Sequence, residues 1–220
     1  MDLKCLVIKV CGMRDPINIC DVETLDVDCL GFIFYSRSQR YVPEAHEYVE
    51  AICRCKKNKA GVFVDESIEN ILYKSKMFQL NYLQLHGNET EDMCRELCHH
   101  GYCVIKTFSI ATATDFHQTE RYRNCCDYFL FDTKCADYGG SGKRFDWSLL
   151  KFYSGETPFL LSGGLMPNCT ADIKQLNHPQ FAGIDLNSGF ELSPAMKNVG
   201  QLKEFIEVIR QITNNKKTEN

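Results

Sequence analysis

No stretch of this 220-residue chain approaches the roughly 18–20 apolar residues needed to span a bilayer. The run Cys5-Leu6-Val7-Ile8-Lys9-Val10-Cys11 is too short for a signal peptide and lacks a small-residue cleavage site. These absences point to the cytoplasm and away from a membrane. A basic face is missing too: 25 Lys and Arg stand against 29 Asp and Glu, a net charge of -4, with no footprint for nucleic acid. No C-x2-C spacing occurs despite 13 cysteines, so the zinc patterns built on it are excluded. Cys94, Cys98, His99 and His100 form the one grouping that suggests a metal. It is outweighed by the reading of thiols in apolar runs (Cys29, Cys103, Cys125, Cys126) as small core residues. A disulfide framework is not expected in a chain with a large core and no export signal. No linker, low-complexity segment or charge block marks a second domain, so residues 1–220 read as one domain with a polar, fraying tail from about 214.

What the chain does have is a repeated beat. Short apolar, β-branched runs begin near residues 5, 28, 60, 80, 102, 127, 157 and 181. Helical patterns lie between them, at roughly 16–26, 43–57, 67–78, 89–100, 112–124, 146–153, 167–177 and 199–214. Pro43 and Pro167 fall at first-turn positions, and Asn198 at an N-cap. Eight strands and eight helices at a spacing of about 25 residues is the count of a (β/α)8 TIM barrel. An open doubly wound sheet usually has fewer strands, and no GxGxxG turn follows the first strand here.

Barrel active sites sit at the C-terminal strand ends. There the apolar runs close on Cys11, Tyr35, Asp65, His86, Lys106, Asp132, Ser162 and Asp185. Together they read as a ring lining a polar pocket. Strand alternation puts Lys9 and Cys11 on one face, and likewise Gln84 with His86 and Asp185 with Asn187. Closure sets the last strand beside the first, so Asp185 is expected near Lys9 and Cys11. A cation beside a thiol lowers its pKa; Lys9 also reads as the partner of Asp185.

Two glycine turns follow the last two strands: Ser162-Gly163-Gly164-Leu165 and Asn187-Ser188-Gly189. Barrels often hold phosphate between these loops, where backbone amides approach the anion closely. The loop Tyr138-Gly139-Gly140-Ser141-Gly142-Lys143-Arg144 is not a P-loop, because Asp137 and Arg144 stand where Gly and Ser or Thr are required. Its glycines suit either a lid or an ordinary flexible loop.

The segments Lys9-Val10-Cys11-Gly12, Leu83-Gln84-Leu85-His86-Gly87, Tyr138 to Trp147 (YGGSGKRFDW), Ser162-Gly163-Gly164 and Asp185-Leu186-Asn187-Ser188-Gly189-Phe190-Glu191 run along nearly the whole chain. In that order they resemble the phosphoribosylanthranilate isomerases of tryptophan biosynthesis. The resemblance implies an Amadori rearrangement of a small phosphorylated substrate without metal or organic cofactor. By matching positions, Asp132 is implied as general acid and Cys11 as general base. Arg40 would hold the anthranilate carboxylate, and Gly163, Gly164, Asn187, Ser188 and Gly189 the phosphate. His86 and Asp185 would complete the sugar pocket.

This chain departs from the family pattern in three places. Gln39 stands before Arg40 where Pro is usual, and Ala195 and Asn198 replace the Gly and Asp that follow the last strand. If the usual Gly has φ > 0, Ala195 costs roughly 1 kcal/mol or reshapes the loop. Two alternatives remain in view. The histidine-pathway aminoaldose isomerases carry an aspartate in place of Cys11, and a non-catalytic phosphate-binding barrel would have no need of Cys11 and Asp132 together. No exposed apolar helix face stands out, which points to a monomer.

Overall fold

Parallel strands buried on both faces read as near-continuous apolar runs rather than alternating ones; Cys29–Ile33 (β2) is of this kind, and Val7–Val10 (β1) is interrupted only by Lys9. The computed structural model describes residues 6–133 and 146–218. Most of the Tyr138–Trp147 segment, with its lid reading, lies outside them. The remaining barrel strands are Asn58–Phe63 (β3), Tyr82–Leu85 (β4), Cys103–Ile110 (β5), Tyr128–Thr133 (β6), Phe159–Leu161 (β7) and Phe181–Leu186 (β8). They pair in parallel, in sequence order, and β8 closes on β1 with Lys9 opposite Asp185. This is the expected (β/α)8 barrel.

Its interior is filled low down by Ile105, Leu130 and Leu160, with Val7, Tyr82 and Tyr128 against them. The larger core lies between barrel and helices. On that outer side Phe108, Phe116, Phe129, Phe131, Tyr153 and Phe159 pack mostly edge-on or tilted, with neighbouring ring centroids 4.8–6.5 Å apart.

Pro16–Glu23 (α1) begins with Pro at its first turn, and the Asp15 carboxylate accepts from the Asn18 amide at 2.8 Å. Ile68–Met77 (α3) and Glu91–His99 (α4) are capped in the same way by Ser67 and Thr90. His46–Arg54 (α2) starts later than expected, so Pro43 precedes the helix rather than sitting in its first turn. The last connections are Thr170–Gln175 (α5) and Val199–Thr218 (α6). Asn198 caps α6, its Oδ1 accepting from Gln201, and the helix runs on through part of the expected tail. Among the described residues no helix is long and apolar enough to cross a membrane.

Two expected α-helices are 3-10 helices, Ala113–Tyr122 and Trp147–Phe152. The reason lies in their period. The first buries Phe116, Thr119 and Tyr122, and the second Trp147 and Leu150 followed by Tyr153, always three apart. Three residues per turn is the 3-10 repeat, whereas an α-helix would swing these side chains off one face. Thr119 Oγ1 also bonds back to the Phe116 carbonyl at 2.7 Å.

After β8 the chain forms an unanticipated hairpin, Glu191–Ser193 (β9) with Met196–Lys197 (β10). Pro194 and Ala195 make the turn, and Ala195 has φ of +68°. Proline followed by a left-handed residue is the type II signature. Ala195 thus holds a left-handed conformation costing a non-glycine residue on the order of 1 kcal/mol. From α6, Arg210 reaches the start of the barrel: Nη1 donates to Leu6 O at 2.5 Å, and Nη2 to Asp26 O at 2.8 Å and Asp28 Oδ2 at 2.7 Å. The same Asp28 oxygen accepts from the Ile8 amide at 2.7 Å.

Candidate active site

Strand β1 turns Lys9 and Cys11 into the barrel, and Gly31 on the adjacent β2 makes room for the thiol. A Cβ at Gly31 would lie 2.7 Å from Cys11 Sγ. Lys9 Nζ sits 2.8 Å from Asp185 Oδ1, both side chains buried. Burial opposes the Lys9 charge, but Asp185, with Cys11 and Cys29 behind it, more than reverses that and holds the ammonium protonated. The expectation that Lys9 would activate Cys11 is corrected. Burial pushes the thiol above its ordinary value, and the pull of Lys9 and Lys197 does not offset it, since Asp185 opposes them.

Across the barrel, β6 presents Asp132. Burial raises its carboxyl to about 6, against the Thr133 amide that donates to Oδ1 at 2.8 Å; Asp185 adds to the rise. The Asp132 Oδ2 lies 3.6 Å from His86 Nε2. Burial, then Lys106 and Lys9, lower the imidazole to about 4, so it is neutral at pH 7. Gln84 Nε2 lies 3.1 Å from His86 Nδ1. With the amide donating there, the ring proton belongs on Nε2, toward Asp132. The Gln84 Oε1 atom has no hydrogen-bond partner among the described residues.

The two glycine turns lie side by side. A Cβ at Gly189 would press into the Leu165 carbonyl, well inside the 3.0 Å that real Cβ atoms keep. Gly163 and Gly164 have φ of +74° and +71°, and a Cβ at Gly163 would lie 2.6 Å from Asp132 Oδ1. Ser188 and Gly189 open a 3-10 turn, Ser188–Phe190, whose first amides have no intrahelical partner. The two turns thus abut at the C-terminal rim, with Gly163 against Asp132.

Arg40 is held from two directions. Its Nε and Nη2 donate to Glu191 at 2.8 and 2.6 Å, leaving Nη1 without a hydrogen bond among the described residues. Arg14 Nη1 meets the carbonyls of Gln39 and Tyr41 at 3.2 and 3.4 Å. This guanidinium steadies the loop that lacks the family's proline. Gly12, with φ of +76°, is where the loops converge, since a Cβ there would lie 2.6 Å from both Arg40 Cδ and Asn187 Oδ1.

Residues not anticipated from the sequence complete this side. Glu191 also accepts from buried Lys197 at 2.7 Å and from the Ala195 amide at 3.1 Å. Burial alone would raise its carboxyl, but Arg40 and Lys197 together hold it low. Lys197 Nζ takes Asn187 Oδ1 at 2.7 Å as well, so the Asn187 side chain faces this lysine. Two members of the expected ring lie elsewhere. Lys106 points outward, over the Phe108 and Tyr122 rings, and Asp65 accepts from the Asn88 amide to tie down the loop after β4. Among the described residues no group of three or more His, Cys, Asp or Glu could hold a metal.

A closed barrel with a thiol, a raised carboxyl and paired glycine turns at its C-terminal rim has the site architecture of a phosphate-binding barrel enzyme. The comparisons agree and go further. The family model for N-(5'phosphoribosyl)anthranilate (PRA) isomerase matches residues 8–208, and the chain belongs to this family of isomerases. It is 52% identical over 206 residues to the N-(5'-phosphoribosyl)anthranilate isomerase of Parabacteroides distasonis, covering 93% of each chain. The phosphoribosyl anthranilate isomerase of Thermotoga maritima superposes with a TM-score of 0.79 at 32% identity, over 94% of this chain and 99% of that one. A phosphoribosyl anthranilate isomerase in complex with reduced 1-(o-carboxyphenylamino)-1-deoxyribulose 5-phosphate gives 0.78 at 29% identity, over the same shares.

Proposed function

We propose that the chain converts N-(5-phosphoribosyl)anthranilate into 1-(2-carboxyphenylamino)-1-deoxyribulose 5-phosphate, an Amadori step of tryptophan biosynthesis. In this reading Asp132 is the general acid and Cys11 the general base. The observation that carries it is the pairing, at one barrel mouth, of a carboxyl raised to about 6 with a buried thiol on a distant strand. Opening the furanose needs a proton at the ring oxygen, and a carboxyl with that pKa is well matched to deliver it near neutral pH. Once the Schiff base forms, the C-2 proton is acidified and the Cys11 thiolate removes it. The enolamine that results tautomerises to the ketone. Each proton transfer contributes roughly 10²–10⁴-fold, about 3–5 kcal/mol.

Arg40 receives the anthranilate carboxylate through its remaining Nη1 edge, its other edge being fixed on Glu191. The amides of Gly163, Gly164, Ser188 and Gly189, with the backbone at Asn187, receive the phosphate. Asp185 keeps Lys9 charged beneath the sugar, and His86 donates toward Asp132. The related isomerase bound to the reduced product analogue supports the substrate class. Every residue invoked comes from one chain, so a monomer suffices. No step in this sequence calls for a metal or organic cofactor.

The test is turnover of freshly generated phosphoribosylanthranilate, followed as loss of anthranilate-type fluorescence, in wild type, Cys11→Ser and Asp132→Asn. Wild-type turnover with a fall of about 10²-fold or more in each folded variant is expected. Absence of turnover by folded wild type would sink the reading.

A further inference from the structure

We propose that Lys106, on the outer face of the barrel, is the positioning residue for His86, fixing the imidazole against Asp132. The inference rests on the reading of Asp132 as the acid. Its basis is a clasp. Lys106 Nζ meets the carbonyls of Leu85 at 3.3 Å and Gly87 at 2.8 Å, the two residues that flank His86. It is completed by Thr107 O at 3.1 Å and Glu89 Oε2 at 3.2 Å.

Glu89 works from the amide side. Its carboxylate accepts from Gly87 N at 3.0 Å and Asp65 N at 3.0 Å, while the His86 amide itself donates to Phe63 O at 2.9 Å. The peptides around His86 are thus held through donors and acceptors alike, from β3, β5 and the β4 loop. Gln84 then sets the ring from inside the barrel. Arg14 grips the carbonyls on either side of Arg40 in the same manner, so Arg40 and His86 share one construction.

The charge matters as much as the grip. The charges that act on His86 are Lys106 of β5, through the backbone it grips from outside, and Lys9 of β1, with Asp132 of β6 at 3.6 Å. Glu89 of its own loop, Asp65 of the β3 loop and Asp185 behind Lys9 lie further round. Lys106 and Lys9 each disfavour an imidazolium. That outcome serves the chemistry. An imidazolium 3.6 Å from Asp132 would stabilise the carboxylate and draw its pKa down, leaving no proton for the ring oxygen. A neutral imidazole steadies Asp132 while leaving it an acid.

The experiment is histidine-selective ¹⁵N NMR of the full chain across pH, alongside kcat and KM, for wild type, Lys106→Met, and Lys106→Met with Glu89→Gln. The double variant strands no buried charge. In wild type His86 should be neutral, with its proton on Nε2, down to about pH 4. In the double variant the His86 midpoint should rise toward its ordinary value, burial still holding it below, and kcat should fall about tenfold with little change in KM. A purely structural role would lower stability but leave the midpoint in place. An unmoved midpoint in the folded double variant overturns the proposal, and so does a wild-type His86 already protonated at pH 5.5, whatever the variants do. A moved midpoint with unchanged kcat overturns the link to Asp132. If wild type shows no turnover while the midpoint still moves, the isomerase reading fails and the Lys106–His86 coupling stands.

Discussion

Replacing Gly189 by alanine adds one methyl group, and the structure says where it goes: into the backbone carbonyl of Leu165, which cannot rotate away as a side chain would. The φ of Gly189 is not positive, so the cost is steric approach rather than backbone strain. Restoring a normal contact requires the turns after β7 and β8 to part by on the order of 1 Å, and a misplacement of that size can cost about 10²-fold in rate. These turns carry the proposed phosphate amides, so both KM and kcat should suffer. A cost of about 1–3 kcal/mol in stability accompanies the overpacking, a midpoint shift of roughly 2–12 °C for a chain of this size. The assay is steady-state fluorescence turnover, with inhibition by inorganic phosphate as a second readout and thermal unfolding as the control. A folded Gly189→Ala enzyme with wild-type kcat/KM and wild-type phosphate inhibition would refute the two-turn cradle.

Three further predictions follow from the charges. Cys11 and Asp132 must share a single proton, so kcat/KM should rise as pH passes about 6 and stay level to above 9.0; a profile flat down to pH 4 contradicts the assignment of the acid. Asp132 has a folded pKa above its unfolded one, so its ionisation destabilises the fold progressively as pH rises from 3.8 through about 6. Asp132→Asn should therefore lose activity yet gain up to about 3 kcal/mol at pH 7 and almost nothing at pH 3.5, by urea unfolding. Equal changes at both pH values would rule out this origin. Arg40→Lys keeps a charge for Glu191 but removes the free Nη1 edge, and should raise KM about 10- to 100-fold with a smaller effect on kcat. A KM within twofold of wild type would remove Arg40 from the substrate site.

The barrel was legible because its strands are buried on both faces and end on polar residues, two signals that need no knowledge of neighbours. Closure then made the proximity of Lys9 and Asp185 deducible, since a closed sheet of eight leaves β1 as the partner for the second edge of β8. What sequence reasoning missed depended on direction or on fine period. Lys106 looked like a pocket residue by its place at a strand end, but parity along β5 turns it outward while Ile105 faces the barrel interior. The 3-10 segments were visible in principle, because Phe116, Thr119 and Tyr122 repeat at three rather than 3.6. The hairpin was signalled as well, by Pro194-Ala195 between short runs, yet alanine disguised a turn that glycine would have announced. The roles of Glu191 and Lys197 lie on that hairpin and were hidden with it. The thiol's acidity was misjudged for another reason. Proximity to a lysine can be guessed from register, but the burial that outweighs it is a property of the packed interior.

The Arg210 latch has a consequence for synthesis. It joins α6 to Leu6 across 204 positions of sequence, and β1 also needs β8 on its open side. At translation rates of about 5–20 residues per second, the first strand waits on the order of 10–40 s for the helix that secures it. Throughout that interval a nascent chain exposes an unpaired strand edge and an unclosed sheet. The protein's most vulnerable moment therefore comes on the ribosome, before residue 210 emerges, when one late arginine is still missing from the start of the barrel.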